Sequence, residues 1–159
     1  LEDEVIEKIC AEIDEVVVAA NYNCPGQLVI SGTVPGVEEA VVKLKEAGAK
    51  MAIILPVGGA FHSPLMKPAE EDLKSAIENT NLNTPICPIY QNFTATAETD
   101  PEVIKSNLIS QLTGPVRWTQ TMQQLLEDGM TEYIEVGGNR KTLRGFIMRI
   151  KQRFPNSVL

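Results

Sequence analysis

Between residues 3 and 55 the spacing of apolar residues switches repeatedly between helical and strand-like, and that succession restricts the start of the chain to very few folds. Val5, Ile6, Ile9 and Ile13 recur at helical spacing, behind acidic residues that a helix dipole favours. The runs 16–20 and 28–31 are short and strand-like, joined by Asn21-Tyr22-Asn23-Cys24-Pro25-Gly26, which is dense in turn formers. Val37, Ala40, Val41, Leu44 and Ala47 then line one helical face, and Gly48 supplies a stop. Residues 51–55 form a third strand-like run. Helix, strand, strand, helix, strand is the order of a ferredoxin-like βαββαβ unit whose first strand is missing.

Beyond this unit the pattern lengthens. Leu65, Ala69, Leu73, Ala76 and Ile77 mark a helix, residues 86–90 a buried strand, and Ile104, Leu108 and Leu112 a helix opened by Asp100-Pro101. Trp118, Met122, Leu125 and Leu126 line the next helix, and residues 133–136 read as a strand. Gly137-Gly138-Asn139 reads as a turn, and Leu143, Phe146, Ile147 and Ile150 as the core face of a last helix. Alternating strands and helices predict part of a parallel α/β sheet. The expected division falls at Gly58-Gly59: a small ferredoxin-like α+β lobe over residues 1–58, incomplete, and part of a larger α/β lobe over 59–159.

Composition removes several function classes. With 159 residues, 43% of them hydrophobic, the chain has enough apolar content for a globular core. A net charge of −7 without a basic stripe argues against a nucleic-acid surface. No apolar run is long enough to span a bilayer, and Leu1-Glu2-Asp3-Glu4 lacks the features of a signal peptide, so a cytoplasmic protein without a membrane partner is expected. Three widely spaced cysteines, Cys10, Cys24 and Cys87, read as reduced structural thiols. With a single histidine, neither a metal site nor a cofactor is expected.

That histidine sits in Gly58-Gly59-Ala60-Phe61-His62-Ser63-Pro64, directly after an apolar run. An imidazole can take and return a proton near neutrality, which makes His62 a candidate general base; a polar turn residue is the plainer alternative. No Gly-x-Ser-x-Gly nucleophile elbow occurs, Ser63 is an unpromising partner because it is adjacent, and Cys24 in Asn-Cys-Pro is more simply structural. Gly137-Gly138 could offer amides to an anion, although a tight turn is the simpler use. Lys67, Arg117, Arg140, Lys141 and Arg144 could steer an anionic ligand or merely be solvated.

Four blocks carry a more specific signal: Asn21-Tyr22-Asn23-Cys24-Pro25-Gly26-Gln27-Leu28-Val29-Ile30-Ser31-Gly32, Gly59-Ala60-Phe61-His62-Ser63-Pro64-Leu65-Met66, Gln111-Leu112-Thr113-Gly114-Pro115-Val116-Arg117-Trp118 and Tyr133-Ile134-Glu135-Val136-Gly137-Gly138. In this order they resemble the bacterial malonyl-CoA:acyl carrier protein transacylases of fatty acid synthesis. The resemblance implies a large α/β-hydrolase-like lobe with an inserted ferredoxin-like lobe and an active site in the gorge between them. It implies that His62 is the catalytic histidine, oriented by the backbone carbonyl of Gln111. It also implies that Asn23 contacts substrate, and that Phe61 fills the space an α-methyl group would need, favouring malonyl. Malonyl-CoA and acyl carrier protein are the implied partners, with Lys67, Arg117 and Arg140 as candidate carrier contacts.

The family's Gly-His-Ser-x-Gly nucleophile motif, its Gly-Gln-Gly region and its malonyl-binding arginine have no match here, and Gly137-Gly138-Asn139 stands where the family has Gly-Pro-Gly. The resemblance therefore implies a C-terminal portion that needs the N-terminal half of the same enzyme and is inactive alone. Two other expectations remain open: a non-enzymatic ferredoxin-like module that binds a ligand or carrier protein and folds alone, and an acyltransferase fragment of a larger polyketide or fatty acid synthase.

Overall fold

In the computed structural model, which describes residues 1–137 and 141–154, the chain opens with α1 (Asp3–Ala11), β1 (Val17–Cys24), β2 (Gln27–Gly32) and α2 (Val34–Glu46). β1 and β2 form an antiparallel hairpin with Val17 opposite Gly32 and Cys24 opposite Gln27. The expected long turn shrinks to Pro25-Gly26, because Asn21 and Tyr22 pair with Val29 and Leu28 instead of looping out. Gly26 takes φ 76°, a left-handed conformation that closes the chain back on itself at little cost without a Cβ. α2 begins at Val34 rather than Val37, since the Thr33 hydroxyl accepts from the Gly36 amide at 3.2 Å and Pro35 suits the first turn.

Both helices pack on the hairpin and on each other. Cys10, Ile13, Val17, Ala40 and Leu44 form the buried centre, surrounded by Ile6, Ile9, Ile30 and Val37. Burying a side chain such as Leu44 contributes about 2 kcal/mol. Burial also pushes the Cys10 thiol up, so it stays protonated and packs as an apolar group.

After α2 the structure departs from the expected sheet. Residues 51–57 pair with no strand among the described residues, and Met51, Ile53, Ile54, Leu55 and Val57 are exposed. Residues 133–136 are likewise unpaired, with Ile134 and Val136 exposed. The expected strand 86–90 shortens to β3 (Ile89–Tyr90), paired antiparallel with β4 (Ala97–Glu98), and leaves Ile86 fully exposed. The described sheets are thus two antiparallel pairs rather than a parallel sheet, and the parallel contact is one bridge between Asn21 and Val116. The physical reason is common to all three runs. An apolar extended segment becomes a strand only where a neighbour takes up its backbone groups.

The remaining elements are helical: a 3₁₀ turn (Pro64–Met66), α3 (Lys67–Glu78), α4 (Pro101–Ser110), α5 (Trp118–Glu127) and α6 (Thr142–Arg153). Asp100 caps α4, its Oδ1 accepting from the Glu102 amide at 2.8 Å. Cys24, Met122 and Ile150 form a second buried centre with Trp118, Leu125, Phe146 and Ile147. β1 therefore links two cores, with Val17 in the first and Cys24 in the second. Gly138, Asn139 and Arg140, and with them most of the expected turn, lie outside the described residues.

Candidate active site

His62 follows the exposed Phe61 in a turn that begins at the two glycines. Its φ is 59°, a left-handed conformation that costs a non-glycine residue about 1 kcal/mol and persists only where the surroundings enforce it. Ser63 supplies much of that enforcement. Wholly buried, its hydroxyl donates to the Ala60 carbonyl at 2.6 Å and accepts from the Leu65 amide at 3.3 Å. Its own carbonyl receives the Met66 amide at 3.1 Å, so Ser63 shapes the turn and caps the 3₁₀ turn that leads into α3.

The imidazole is gripped through one nitrogen. His62 Nδ1 lies 2.8 Å from the Gln111 carbonyl oxygen and 3.2 Å from that of Gly114. Carbonyls only accept, so Nδ1 must carry the proton and donate to both. In the neutral ring this leaves the lone pair on Nε2. The tautomer is therefore set by backbone, without a carboxylate.

The loop that presents these carbonyls is itself braced. Asn92 Nδ2 donates to Gln111 Oε1 at 3.0 Å, and the Arg117 amide donates to the Asn92 carbonyl at 2.9 Å. The Gly114 amide donates to Ser110 O at 3.0 Å, at the end of α4. Gly114 must be glycine, since a Cβ there would stand 2.6 Å from the Phe93 ring. Two residues on, Val116 exchanges backbone hydrogen bonds with β1, receiving Tyr22 N–H and donating to the Ala20 carbonyl, each at 2.8 Å. Thr113 Oγ1 donates to the Glu70 carboxylate at 2.8 Å, which joins the loop to α3.

Other expected site residues fall outside this constellation. Asn23 is half-buried near the end of β1 and makes none of the bonds that hold His62. The Cys24 thiol meets Gln27 and Arg149, each at 3.8 Å, rather than the imidazole. Lys67 is ion-paired with Glu70. Of the Gly137-Gly138 pair considered for an anion, Gly138 lies outside the described residues; at the start of α6 Glu135 accepts from the Leu143 and Arg144 amides at 3.2 and 3.1 Å, so a carboxylate from the chain itself caps that helix. Among the described residues no group of three or more His, Cys, Asp or Glu could hold a metal ion, and no helix is long and apolar enough to cross a membrane.

A family profile described as "Acyl transferase domain" matches residues 1–152. The chain belongs to the acyl transferase domain family. Malonyl CoA-acyl carrier protein transacylase of Haemophilus influenzae is 44% identical over 152 residues, and that of Bacillus subtilis 43% over 150, each match covering 94% of this chain. It covers 48% and 47% of those proteins, so this acyl transferase chain spans about half the length of the curated relatives it matches. Among solved structures, an acyl carrier protein S-malonyltransferase from Vibrio cholerae superposes with TM-score 0.92 at 45% identity, covering 96% of this chain and 50% of that one. A complex of a type II polyketide synthase acyl carrier protein with its malonyl-transacylase gives 0.91 at 36% identity, with the same coverage.

Within this acyl transferase chain, the residues that sequence reasoning missed are Gly114, Asn92, Thr113 and Glu70. Gly114 acts through a carbonyl that any residue type would carry, and the other three are recognisable only once residues far apart in the chain have met. The single local hint at Glu70 is its spacing of three from Lys67.

Proposed function

We propose that this acyl transferase is the C-terminal half of a malonyl-CoA:acyl carrier protein transacylase, with His62 as its general base. The observation that carries the reading is the Nδ1 grip. With Nδ1 fixed by two carbonyls, the neutral imidazole presents the Nε2 lone pair, which suits it to take up a proton. The reaction runs as a ping-pong transfer through an acyl-serine. The serine Oγ, supplied by the N-terminal half, attacks the thioester carbon of malonyl-CoA while its proton passes to Nε2. The C–S bond then breaks, and the departing CoA sulfur takes that proton. In the second half the phosphopantetheine thiol of the carrier gives its proton to Nε2 and attacks the acyl-serine. The C–O bond breaks and the serine recovers the proton.

The relatives' names support this reading, as does the architecture. The hairpin with α1 and α2 corresponds to the ferredoxin-like lobe over residues 1–58, and residues 59–159 to the C-terminal part of the hydrolase-like lobe. The exposed apolar runs 51–57 and 133–136 are suited to sheet positions that the N-terminal half would complete. Phe61, half exposed beside His62, is positioned in sequence to limit the acyl group to malonyl, and Asn23 is assigned to substrate contact.

The test is transfer of labelled malonyl from CoA to holo acyl carrier protein, using the protein as its gene encodes it. His62→Ala is expected to lower kcat by at least about a thousandfold. Transfer at the parental rate by that variant would remove the proposal. Tight carrier binding with no transfer by the parent would favour the binding-module reading instead.

A further inference from the structure

We infer that Glu70 is a positioning residue for His62: through Thr113 it holds the loop whose carbonyls fix the imidazole. The inference rests on the catalytic reading of His62, but its geometry stands apart from that reading. α3 presents an unusual face. The apolar positions that its periodicity offers are exposed or half-buried, whereas Glu70, 9% exposed, is the helix's buried residue. A carboxylate in that position needs partners, and both oxygens have one. Oε1 faces the Lys67 ammonium, and Oε2 accepts from Thr113 Oγ1 at 2.8 Å. Lys67 and Thr113, in that order of weight, hold the carboxyl below its ordinary range, so it stays ionised as an acceptor.

The placement of this bond along the chain gives it a consequence. Thr113 lies between Gln111 and Gly114, whose carbonyls sit 2.8 and 3.2 Å from Nδ1. Glu70 lies in the first turn of α3, four residues after Met66, and α3 follows directly on the 3₁₀ turn Pro64–Met66 that His62 and Ser63 lead into. The base and the loop that grips it are thus attached to one helix, the base through the chain and the loop through Glu70. Asn92 braces the same loop from the other side, at Gln111. Cutting the Glu70 tie would let the two carbonyls drift relative to the ring, and a displacement of about 1 Å in a proton-transfer site costs up to a hundredfold in rate.

The experiment compares Glu70→Ala, Glu70→Gln, Thr113→Val and Thr113→Ser in the protein as its gene encodes it. Malonyl transfer and the His62 Nδ1–H proton resonance are both read, the resonance being assigned by its loss in His62→Ala. Glu70→Ala and Thr113→Val are expected to lower kcat by about ten- to a hundredfold, with KM for malonyl-CoA within about twofold, and to shift or broaden the resonance. Glu70→Gln and Thr113→Ser keep the acceptor and the hydroxyl, and should recover most of both. An unchanged resonance in Glu70→Ala and Thr113→Val overturns the inference whether or not the protein transfers malonyl. Equal loss in the conservative and disruptive variants overturns it too. A parent that transfers nothing while its resonance still responds to Glu70→Ala would remove the proposed function and leave the tie intact. Should Glu70→Ala fail to fold, Thr113→Val alone decides, since it deletes the same bond without removing a charge.

Discussion

Two kinds of irregular backbone meet opposite fates in this chain. Around residues 91–95 and 111–117 the backbone follows neither helix nor sheet for long, yet the amides of Ala95, Gln111, Leu112, Gly114, Val116 and Arg117 are hydrogen-bonded, with Thr94 Oγ1 left buried and unpaired. Gln91, buried, donates from Nε2 to the Ile104 carbonyl at 3.0 Å and accepts from Asn107 Nδ2 at 2.9 Å, while Ala95 N–H reaches the Gln91 carbonyl at 2.9 Å. Residues 51–57 and 133–136 are as irregular but rich in apolar side chains, Glu135 aside, and Met51, Ile53, Ile134 and Val136 are at least 63% exposed. Polar side chains let a loop satisfy its own backbone locally. Valine and isoleucine cannot, so a run of them waits for a neighbouring strand.

The largest expected effect separates these two regions directly. Gln91→Leu leaves the buried Asn107 side-chain amide without its Gln91 acceptor and takes from the Ile104 carbonyl the bond it accepts beside its own helix partner, and should cost about 2 kcal/mol in denaturant unfolding of this chain. Ile134→Ser in the same chain should stay within about 0.5 kcal/mol, since the side chain is already in water. The reverse order would break the comparison. The same pair sharpens it in the protein as its gene encodes it: if an N-terminal half covers the apolar runs, Ile134→Ser there should cost about 2 kcal/mol.

Glycine substitutions make a contrast of similar size. At Gly114 a Cβ would meet the Phe93 ring at 2.6 and 2.7 Å and the Ser110 carbonyl at 3.0 Å, so Gly114→Ala should destabilise by about 2 kcal/mol and disturb a carbonyl that grips His62. At Gly58 nothing lies within 4 Å. Gly58→Ala should therefore be neutral or stabilise by about 0.5 kcal/mol, through the unfolded chain alone. Equal melting shifts for the two would show that the loop around Gly114 is as loose as the uncovered run.

The same division explains what could be read from the sequence. Helices α1, α2, α4, α5 and α6 were legible because each shows an apolar face, a cap or a stop within a few residues, as at Thr33 and Asp100. The runs 51–55 and 133–136 were read as strands because their composition is strand-like, but pairing depends on a partner that no local pattern reveals. At the candidate site, His62 stood out as the single histidine. Gln111 was identified through resemblance rather than chemistry, because what it contributes is a carbonyl. Glu70 is hidden because the apolar spacing of Leu65, Ala69, Leu73, Ala76 and Ile77 marks a different face of α3, whereas Thr113, some forty residues away in the chain, holds the Glu70 carboxylate inward.

The smallest effect concerns the charge in the ordered region, and its sign follows from the direction of the Glu70 shift. Its folded pKa lies below the ordinary value of 4.5, first because of Lys67 and then because of Thr113. The stabilisation is therefore fully present above the unfolded pKa and is lost as pH falls through the depressed folded value. In unfolding measured from neutral to acidic pH, the difference between parent and Glu70→Gln should be largest near neutrality and vanish in acid. The Lys67 side chain is 64% exposed, so added salt should also shrink that difference. For Ile134→Ser the difference from the parent should stay flat across the same pH range, because no titrating group is altered. A flat difference for Glu70→Gln as well would mean that the α3 tie is held by its hydrogen bond to Thr113 alone, and that charge plays no part in what distinguishes the self-sufficient loop from the uncovered one.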